Sequence, residues 1–263
     1  MKSEKNTKII SFEYFEEYGK TQLITISKHF NKLESISLSE ENFDFYLSSA
    51  VVFSSMIEGN NIDFDSYLKY ATSGMNTTGK PFLEIEDLKK AYHFAKKSTI
   101  SMDNFLVAHK IATKTLILEE KYSGNLRDKP VFVFQGGEKI YTGASVAILL
   151  QEMTHFFDDI SLLLATEMTI EEIFYIAAML HLKFVHIHPF ADGNGRMARL
   201  LEKWFLAQKL GETAWFVQSE RFYQQKIKNY YQNINLGKDY LSIKYEYAMP
   251  FLVMLPMALR MKR

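Results

Sequence analysis

The sequence predicts an all-α fold carrying one β-hairpin. Only 12 glycines and 5 prolines punctuate 263 residues, which favours long helices with few breakers. Apolar residues recur mostly at three- and four-residue spacing, the period of a helix with one buried face. One stretch, Tyr122 to Gly143, departs from that period and instead sets β-forming residues on either side of a Gly-Gly pair. The length fits one large domain or two modest ones and is enough to bury a sizeable core.

The helices can be justified in turn. Ser39 is placed to cap a helix running to about Glu58, with Phe43, Tyr46, Ala50, Val51 and Ser54 near one stripe and Gly59 positioned to end it. Asp63 can cap a short helix to about Ala71. A loop marked by Gly74, Gly79 and Pro81 follows, then a helix over Glu84 to Lys97. Ser101 can cap the segment Asn104 to Glu119, where Phe105, Ala108, Ile111, Ala112 and Leu116 keep the period. Val131 to Phe134 and Lys139 to Thr142 flank Gly136-Gly137, and two glycines can both take the positive φ that a tight hairpin turn needs. Helices resume over Ser145 to Leu164. Thr169 and Glu172 form a capping-box pattern ahead of Ile173, Ile176, Ala177, Leu180 and Phe184. Arg196 to Leu210, stopped by Gly211, and Ser219 to Leu236 complete the set.

Composition excludes several classes. Lys+Arg 31 against Asp+Glu 31 leaves no net charge, so a broad grip on nucleic acid or an anionic membrane is not expected. The absence of cysteine removes disulfides and every thiolate-based metal or nucleophile site. Met1 to Lys8 is charged and no apolar run follows it, so no signal peptide is expected and the cytoplasm is the default location. Ala248 to Leu259 is too short to span a bilayer and carries Pro250 and Pro256, so it reads as a buried terminal segment.

Chemistry concentrates in His188-Pro189-Phe190-Ala191-Asp192-Gly193-Asn194-Gly195-Arg196-Met197-Ala198-Arg199. Pro189 disfavours helical backbone at His188, so one helix should end there, and a loop then runs straight into the next. Gly193-Asn194-Gly195 lets backbone N–H groups converge at the positive end of a helix, an anion site and most naturally a phosphate site. Arg196 and Arg199, three apart on the first turn, can both reach the same anion. Asp192 is a hard oxygen ligand of the kind Mg²⁺ accepts beside phosphates, and His188 can take a proton near neutral pH. Each part alone is commonplace in loops and on helix surfaces. Together they point to chemistry on a nucleotide phosphate.

This run resembles the complete active-site motif of the Fic family, enzymes that transfer AMP from ATP to hydroxyl side chains of proteins. The resemblance covers about residues 100 to 210. It implies a Fic-like helical bundle with a β-hairpin flap (about 130–142) beside the active site. It implies an N-terminal helical region (1–98) carrying an inhibitory helix (about 40–58), a core (99–212) with the motif at 188–199, and a C-terminal helical segment (213–263). By resemblance His188 would deprotonate a Ser, Thr or Tyr hydroxyl for attack on the α-phosphate. Asp192 would hold Mg²⁺, the amides of Gly193, Asn194 and Gly195 would cradle the phosphates, and Arg196 and Arg199 would neutralise the outer ones. Phe190 would anchor its loop in the core. Tyr230-Tyr231 resembles the paired aromatics near the adenine end, with Tyr231 assigned to the nucleotide.

Ser54-Ser55-Met56-Ile57-Glu58-Gly59 matches the family's inhibitory pattern, so Glu58 would pair with Arg199 and block the γ-phosphate. Gly124 and Arg127 sit where members often have a Gly-x-x-Arg-like lead into the flap. Tyr141-Thr142-Gly143 departs from the Tyr-x-Pro-Pro that often follows it, which leaves target preference open. The expected partners are ATP and a protein hydroxyl, with the chain itself one candidate target and a homodimer one candidate assembly. Removal of AMP by the same site, an ATP-binding regulatory module without transfer, and a metal hydrolase built on His181, His186 and His188 are the alternatives. Phosphoryl-transferring relatives commonly carry Lys at the second glycine of the motif, whereas Gly195 is intact here.

Overall fold

The computed structural model describes residues 7–21, 25–73 and 78–261. Thirteen α-helices and one hairpin appear in them. In chain order these are α1 (Phe15–Thr21), α2 (Ile26–Phe30), α3 (Glu40–Ile57), α4 (Phe64–Thr72), α5 (Lys80–Lys96) and α6 (Met102–Ala112). Strands β1 (Phe132–Gln135) and β2 (Glu138–Thr142) follow, then α7 (Val146–Ala165), α8 (Ile170–Ile187) and α9 (Asn194–Leu210). The chain ends in α10 (Ser219–Gln225), α11 (Ile227–Ile234), α12 (Met249–Leu252) and α13 (Met254–Met257).

Helix α8 is the axis of the core. Every residue from Ile173 to Leu182 is buried, as expected of a helix that is apolar on all sides. It starts on the expected capping box, in which the Thr169 hydroxyl accepts from Glu172 N–H and the Glu172 carboxylate accepts from Thr169 N–H. Helices α1, α2, α7, α9, α12 and α13 all pack on α8, with α9 making the most extensive contact. Helix α3 lies outside this layer against α5, α9 and α10, and carries a row of buried small polar residues, Ser48, Ser54 and Ser55 among them. The segment expected to be buried near the C-terminus is so: Ala248, Phe251, Leu252, Leu255 and Ala258 are in the core.

The capping signals at Ser39, Asp63 and Ser101 act as the sequence suggests, each side chain accepting from a backbone N–H three residues on. Other boundaries move for identifiable reasons. Helix α5 begins at Lys80 rather than Glu84, because Pro81 in the first turn lacks an N–H that would be unpaired there anyway. Helix α6 stops at Ala112 rather than near Glu119, so Leu116 is not on its apolar face. The Asp87 carboxylate takes both the N–H and the hydroxyl of Thr115, at 2.9 and 2.6 Å, and draws the chain away from the helix path. The expected helix over 219–236 is split at Lys226, whose φ and ψ are −112° and 34°. Helices α1 and α2, of 7 and 5 residues, are too short to show a period in sequence. Gly74 and residues 1–6 lie outside the described residues.

The hairpin forms as expected, with Gly136 and Gly137 at φ 58° and 86° and Gln135 opposite Glu138. It joins no further strand ladder among the described residues. Thr142 instead donates its N–H to Lys238 O, so the far end of the flap is held by the C-terminal segment.

A buried carboxylate ties the N-terminal segment to this core. Asp159 of α7 accepts from the amides of Lys8, Ile9 and Ile10 at 2.6, 2.7 and 2.8 Å. Hydrogen bonds to a charged acceptor contribute about 1.5–3 kcal/mol each and do not add fully. Asp159→Ala is expected to cost about 2–4 kcal/mol in urea unfolding, and to expose the segment before α1 to proteolysis in the native protein.

Candidate active site

The site is built where α8 ends and α9 begins. His188 follows the last residue of α8 and adopts φ 53° and ψ 59°, the one non-glycine residue with positive φ among the described residues. Left-handed backbone costs a residue with a Cβ about 1–2 kcal/mol, so something must hold it. The hold comes from the carbonyls at the end of α8, which a helix leaves without partners of its own. Phe184 O accepts from His188 N–H and Val185 O from the His188 ring. His186 O accepts from the Tyr141 hydroxyl and Ile187 O from Ala144 N–H. His188 O accepts from Arg127 Nε at 2.8 Å, and Pro189 O from Arg127 N–H at 3.0 Å.

The Val185 contact fixes the tautomer of His188. A carbonyl can only accept, so Nδ1 carries the proton and the neutral ring keeps a lone pair on Nε2. Burial lowers the His188 pKa from its ordinary value. The Arg127 guanidinium pushes the same way, against the Val185 carbonyl, Glu58 and Asp192. The half-buried imidazole is therefore neutral at pH 7, as a base needs to be.

The loop between the helices is fixed on its inner side. Phe190 is fully buried and stacks on His109 with ring centroids 3.6 Å apart. The Asn194 side chain accepts from Phe190 N–H and donates to Phe190 O, both at 2.9 Å, so it braces the loop and leaves only its backbone amide for a ligand. His109 Nδ1 accepts from Gly124 N–H and its Nε2–H donates to Asp192 O. Gly193 lies at φ 82°, and a Cβ there would come within 2.7 Å of the Thr113 methyl. Asp192 is exposed, with one carboxylate oxygen accepting from Gly193 N–H at 2.6 Å. Helix α9 has no side-chain cap of its own, so its first amides stay available to an anion.

An anionic group of the protein already stands there. The Glu58 carboxylate lies against Gly195 so closely that any Cβ at 195 would overlap it. Its Oε1 accepts from Arg199 Nη2 at 2.6 Å. Arg199 is fully buried, and it also donates through Nε to the Ser54 hydroxyl, through Nη2 to Ser54 O and through Nη1 to the Tyr230 hydroxyl. Arg196 goes elsewhere, with its Nη2 3.0 Å from the Glu84 carboxylate of α5. Tyr231 stands at the cavity wall and donates its hydroxyl to Ile57 O, at the end of α3. The cavity itself measures about 440 Å³ and is lined by Glu58, His188, Gly195, Tyr230, Tyr231 and the flap residues Val133, Phe134, Gln135, Ile140 and Tyr141. A second cavity, of about 490 Å³, lies behind α3 between Phe53, Phe64, Phe216 and Arg221, away from the base and the helix terminus.

Residues 99–206 match the Fic/DOC family. The chain is similar to Fic proteins over that stretch. It is 30% identical over 158 residues, 56% of its length, to the protein adenylyltransferase Fic of Nematostella vectensis, of which the match covers 34%. The chain thus spans about a third of the length of that relative and less of the others, down to 12%. Its fold is that of solved Fic structures. A Fic family protein of Desulfovibrio desulfuricans G20 superposes with a TM-score of 0.71 at 20% identity, over 89% of this chain and 70% of that one. Residues 134–508 of Fic-1 from Caenorhabditis elegans give 0.65 at 19% identity, over 93% and 69%.

The fold brings His188, Asp192, Gly193, Asn194 and Gly195 onto one loop and one helix end, and Glu58, Ser54 and Arg199 into one buried cluster. It does not bring Arg196 to that cluster. Sequence reading missed Glu84, His109 and the carbonyl contacts of Arg127, none of which stands in a local pattern of its own. The imagined trio of histidine metal ligands is not assembled. His181 engages Glu202 and Tyr230, His186 engages Tyr245 and Ile234 O, and no group of three or more His, Asp or Glu suited to a metal occurs among the described residues.

Burial pushes the His186 pKa from its ordinary 6.5 down to about 4. The unfolded chain therefore takes up this proton first as pH falls, and stability is lost across that interval. Melting temperature is expected to drop as pH is lowered from about 6.5 to about 4, and His186→Gln is expected to flatten that slope in thermal unfolding.

Proposed function

We propose that this chain is a protein adenylyltransferase, moving AMP from ATP to a protein hydroxyl, and that Glu58 holds it in a self-inhibited state. One observation carries the reading: a lone pair on His188 and an uncapped helix terminus serve one cavity, and a carboxylate stands at that terminus where a phosphate would bind. The family match and the names of the curated relatives support the same activity.

The chemistry follows from the groups in place. ATP would lay its phosphates on the amides of Asn194 and Gly195, and on that of Gly193 once it leaves the Asp192 carboxylate, with its adenine towards Tyr231. His188 Nε2 would take the proton from the target hydroxyl as its oxygen bonds to the α-phosphorus. The bond from the α-phosphorus to the bridging oxygen of the β-phosphate then breaks, and pyrophosphate leaves. Arg199, released from Glu58, would hold the outer phosphates. Arg196 would join it only by leaving Glu84. Asp192 suits Mg²⁺, since it is exposed, one of its oxygens is unengaged, and this ion commonly takes few carboxylates beside substrate phosphates and water. Bound there, Mg²⁺ would supply positive charge to the phosphates.

In this reading residues 1–98 form the brake and 99–212 the catalytic core, with 213–263 bracing the flap. Glu58→Gly is expected to raise AMP incorporation from α-labelled ATP and Mg²⁺ by about tenfold or more, the loss of one charge-assisted bond. His188→Ala in the same background should abolish it, and γ-labelled ATP should label nothing. Equal, negligible labelling of the unaltered and Glu58→Gly proteins would defeat the self-inhibition claim. Label arriving from the γ-position would defeat the adenylyl assignment. Release of AMP from AMP-modified protein, lost in Glu58→Gly, would favour the reverse reaction.

A further inference from the structure

We propose that Arg127 is a positioning residue that joins the flap to the catalytic base, so that the strand pair facing the target and the imidazole that deprotonates it are held at one fixed separation. The proposal rests on the adenylyl-transfer reading for its kinetic consequence, though not for its mechanical one.

Arg127 lies in the lead from α6 to β1 and is only 3% exposed. Its side-chain partners are all carbonyl oxygens: Nε donates to His188 O at 2.8 Å, Nη1 to Lys129 O at 2.9 Å, and Nη2 to Ala144 O. Lys129 precedes the flap, Ala144 follows it, and His188 is the base. One planar guanidinium therefore bridges the flap's entry, its exit and the catalytic loop, and the Arg127 amide adds a bond to Pro189 O. Burying a cation without a carboxylate is unfavourable, and burial does lower its pKa. A role in fixing geometry accounts for that placement better than a role in stability. The rigid fork is what the arrangement uses, since a lysine ammonium is a compact charge on a flexible stem.

A separate observation points to the same junction. Gly143, at the flap exit, passes so close to the base that a Cβ there would come within 2.9 Å of His188 Cβ and 3.1 Å of Arg127 Nη2. Its φ is not in the left-handed region, so the backbone would accept alanine and the crowding alone would act. The flap exit thus lies against both the guanidinium and the Cβ of His188, and the guanidinium holds the His188 carbonyl. The phosphate cradle is fixed by other bonds, between Asn194 and Phe190 and between His109 and Asp192.

The test uses the full chain with Glu58→Gly as parent. Arg127→Lys keeps the charge and loses the fork, while Gly143→Ala keeps Arg127 and shifts the junction. Both are expected to lower the turnover of AMP transfer from α-labelled ATP by about 10- to 100-fold, the scale of an ångström-level misplacement. The KM for ATP should stay within about threefold, because the cradle is held independently. Hydrogen–deuterium exchange of Arg127→Lys should quicken together in peptides covering 131–144 and 186–190 and remain unchanged in α3 and α5. Turnover within about twofold of the parent in both variants, or unaltered exchange at the junction, would overturn the proposal. So would an ATP KM rising in step with the fall in turnover. A parent that transfers no AMP would sink the adenylyl reading and leave the exchange measurement to decide the junction. If Arg127→Lys does not fold, Gly143→Ala decides on both readouts.

Discussion

A guanidinium with no exposed surface cannot stand unpaired, and Arg199 is in that position. Leaving such a charge without partners is far costlier than the pairing is beneficial. The fold meets the requirement from three directions. Helix α3 offers the hydroxyl and carbonyl of Ser54, α11 offers the hydroxyl of Tyr230, and Glu58 offers its carboxylate. Docking α3 on α9 is therefore part of folding the site, and α3 is no loose appendage. The buried serines of α3 fit this role, since small polar side chains allow close approach while still offering acceptors.

The catalytic loop depends on a related constraint at the other end of the helix pair. Terminal carbonyls of a helix need donors, and those of α8 take theirs from His188 and the flap, while Arg127 serves the carbonyls of His188 and Pro189 just beyond it. Satisfying them is the same act as setting the imidazole's tautomer and supporting its left-handed backbone. A few residues further on, the unpaired amides of α9 supply the complementary charge. The imidazole and the uncapped helix end thus arise from the C-terminus of one helix and the N-terminus of the next, joined by a loop that Phe190 and Asn194 clamp from inside.

What could be read in the sequence is what is local in the chain. Caps at Ser39, Asp63, Ser101 and Thr169, the Gly136-Gly137 turn, and the run from His188 to Arg199 each place cause and effect within a few residues. What escaped reading comes from distant partners. Helix α6 ends early because of a carboxylate 28 residues before Thr115, and Arg196 is drawn aside by Glu84, 112 residues away. His109 has helical neighbours that explain its position but nothing in sequence that ties it to Asp192. The pairing of Glu58 with Arg199 spans 141 residues and was accessible only through resemblance to a family, since no spacing rule reaches that far.

The strength of the proposed restraint follows from which bonds the Glu58 contact does and does not contain. The Glu58 side chain is 31% exposed while Arg199 is fully buried, so water reaches one partner only. Glu58 is the C-cap of α3, with its N–H on Ser55 O and Gly59 at φ 88° behind it, so its side chain can turn without unwinding the helix. When it turns, Arg199 keeps both Ser54 acceptors and the Tyr230 hydroxyl. The loss is a single charge-assisted hydrogen bond, about 1.5–3 kcal/mol, or about ten- to a hundredfold in population. A phosphate arriving at the α9 terminus would bring its own negative charge and restore that bond. In the proposed reading the contact would act as a competitor for the anion position while contributing little to what keeps α3 docked, so that one carboxylate would restrain the site without being needed to build it.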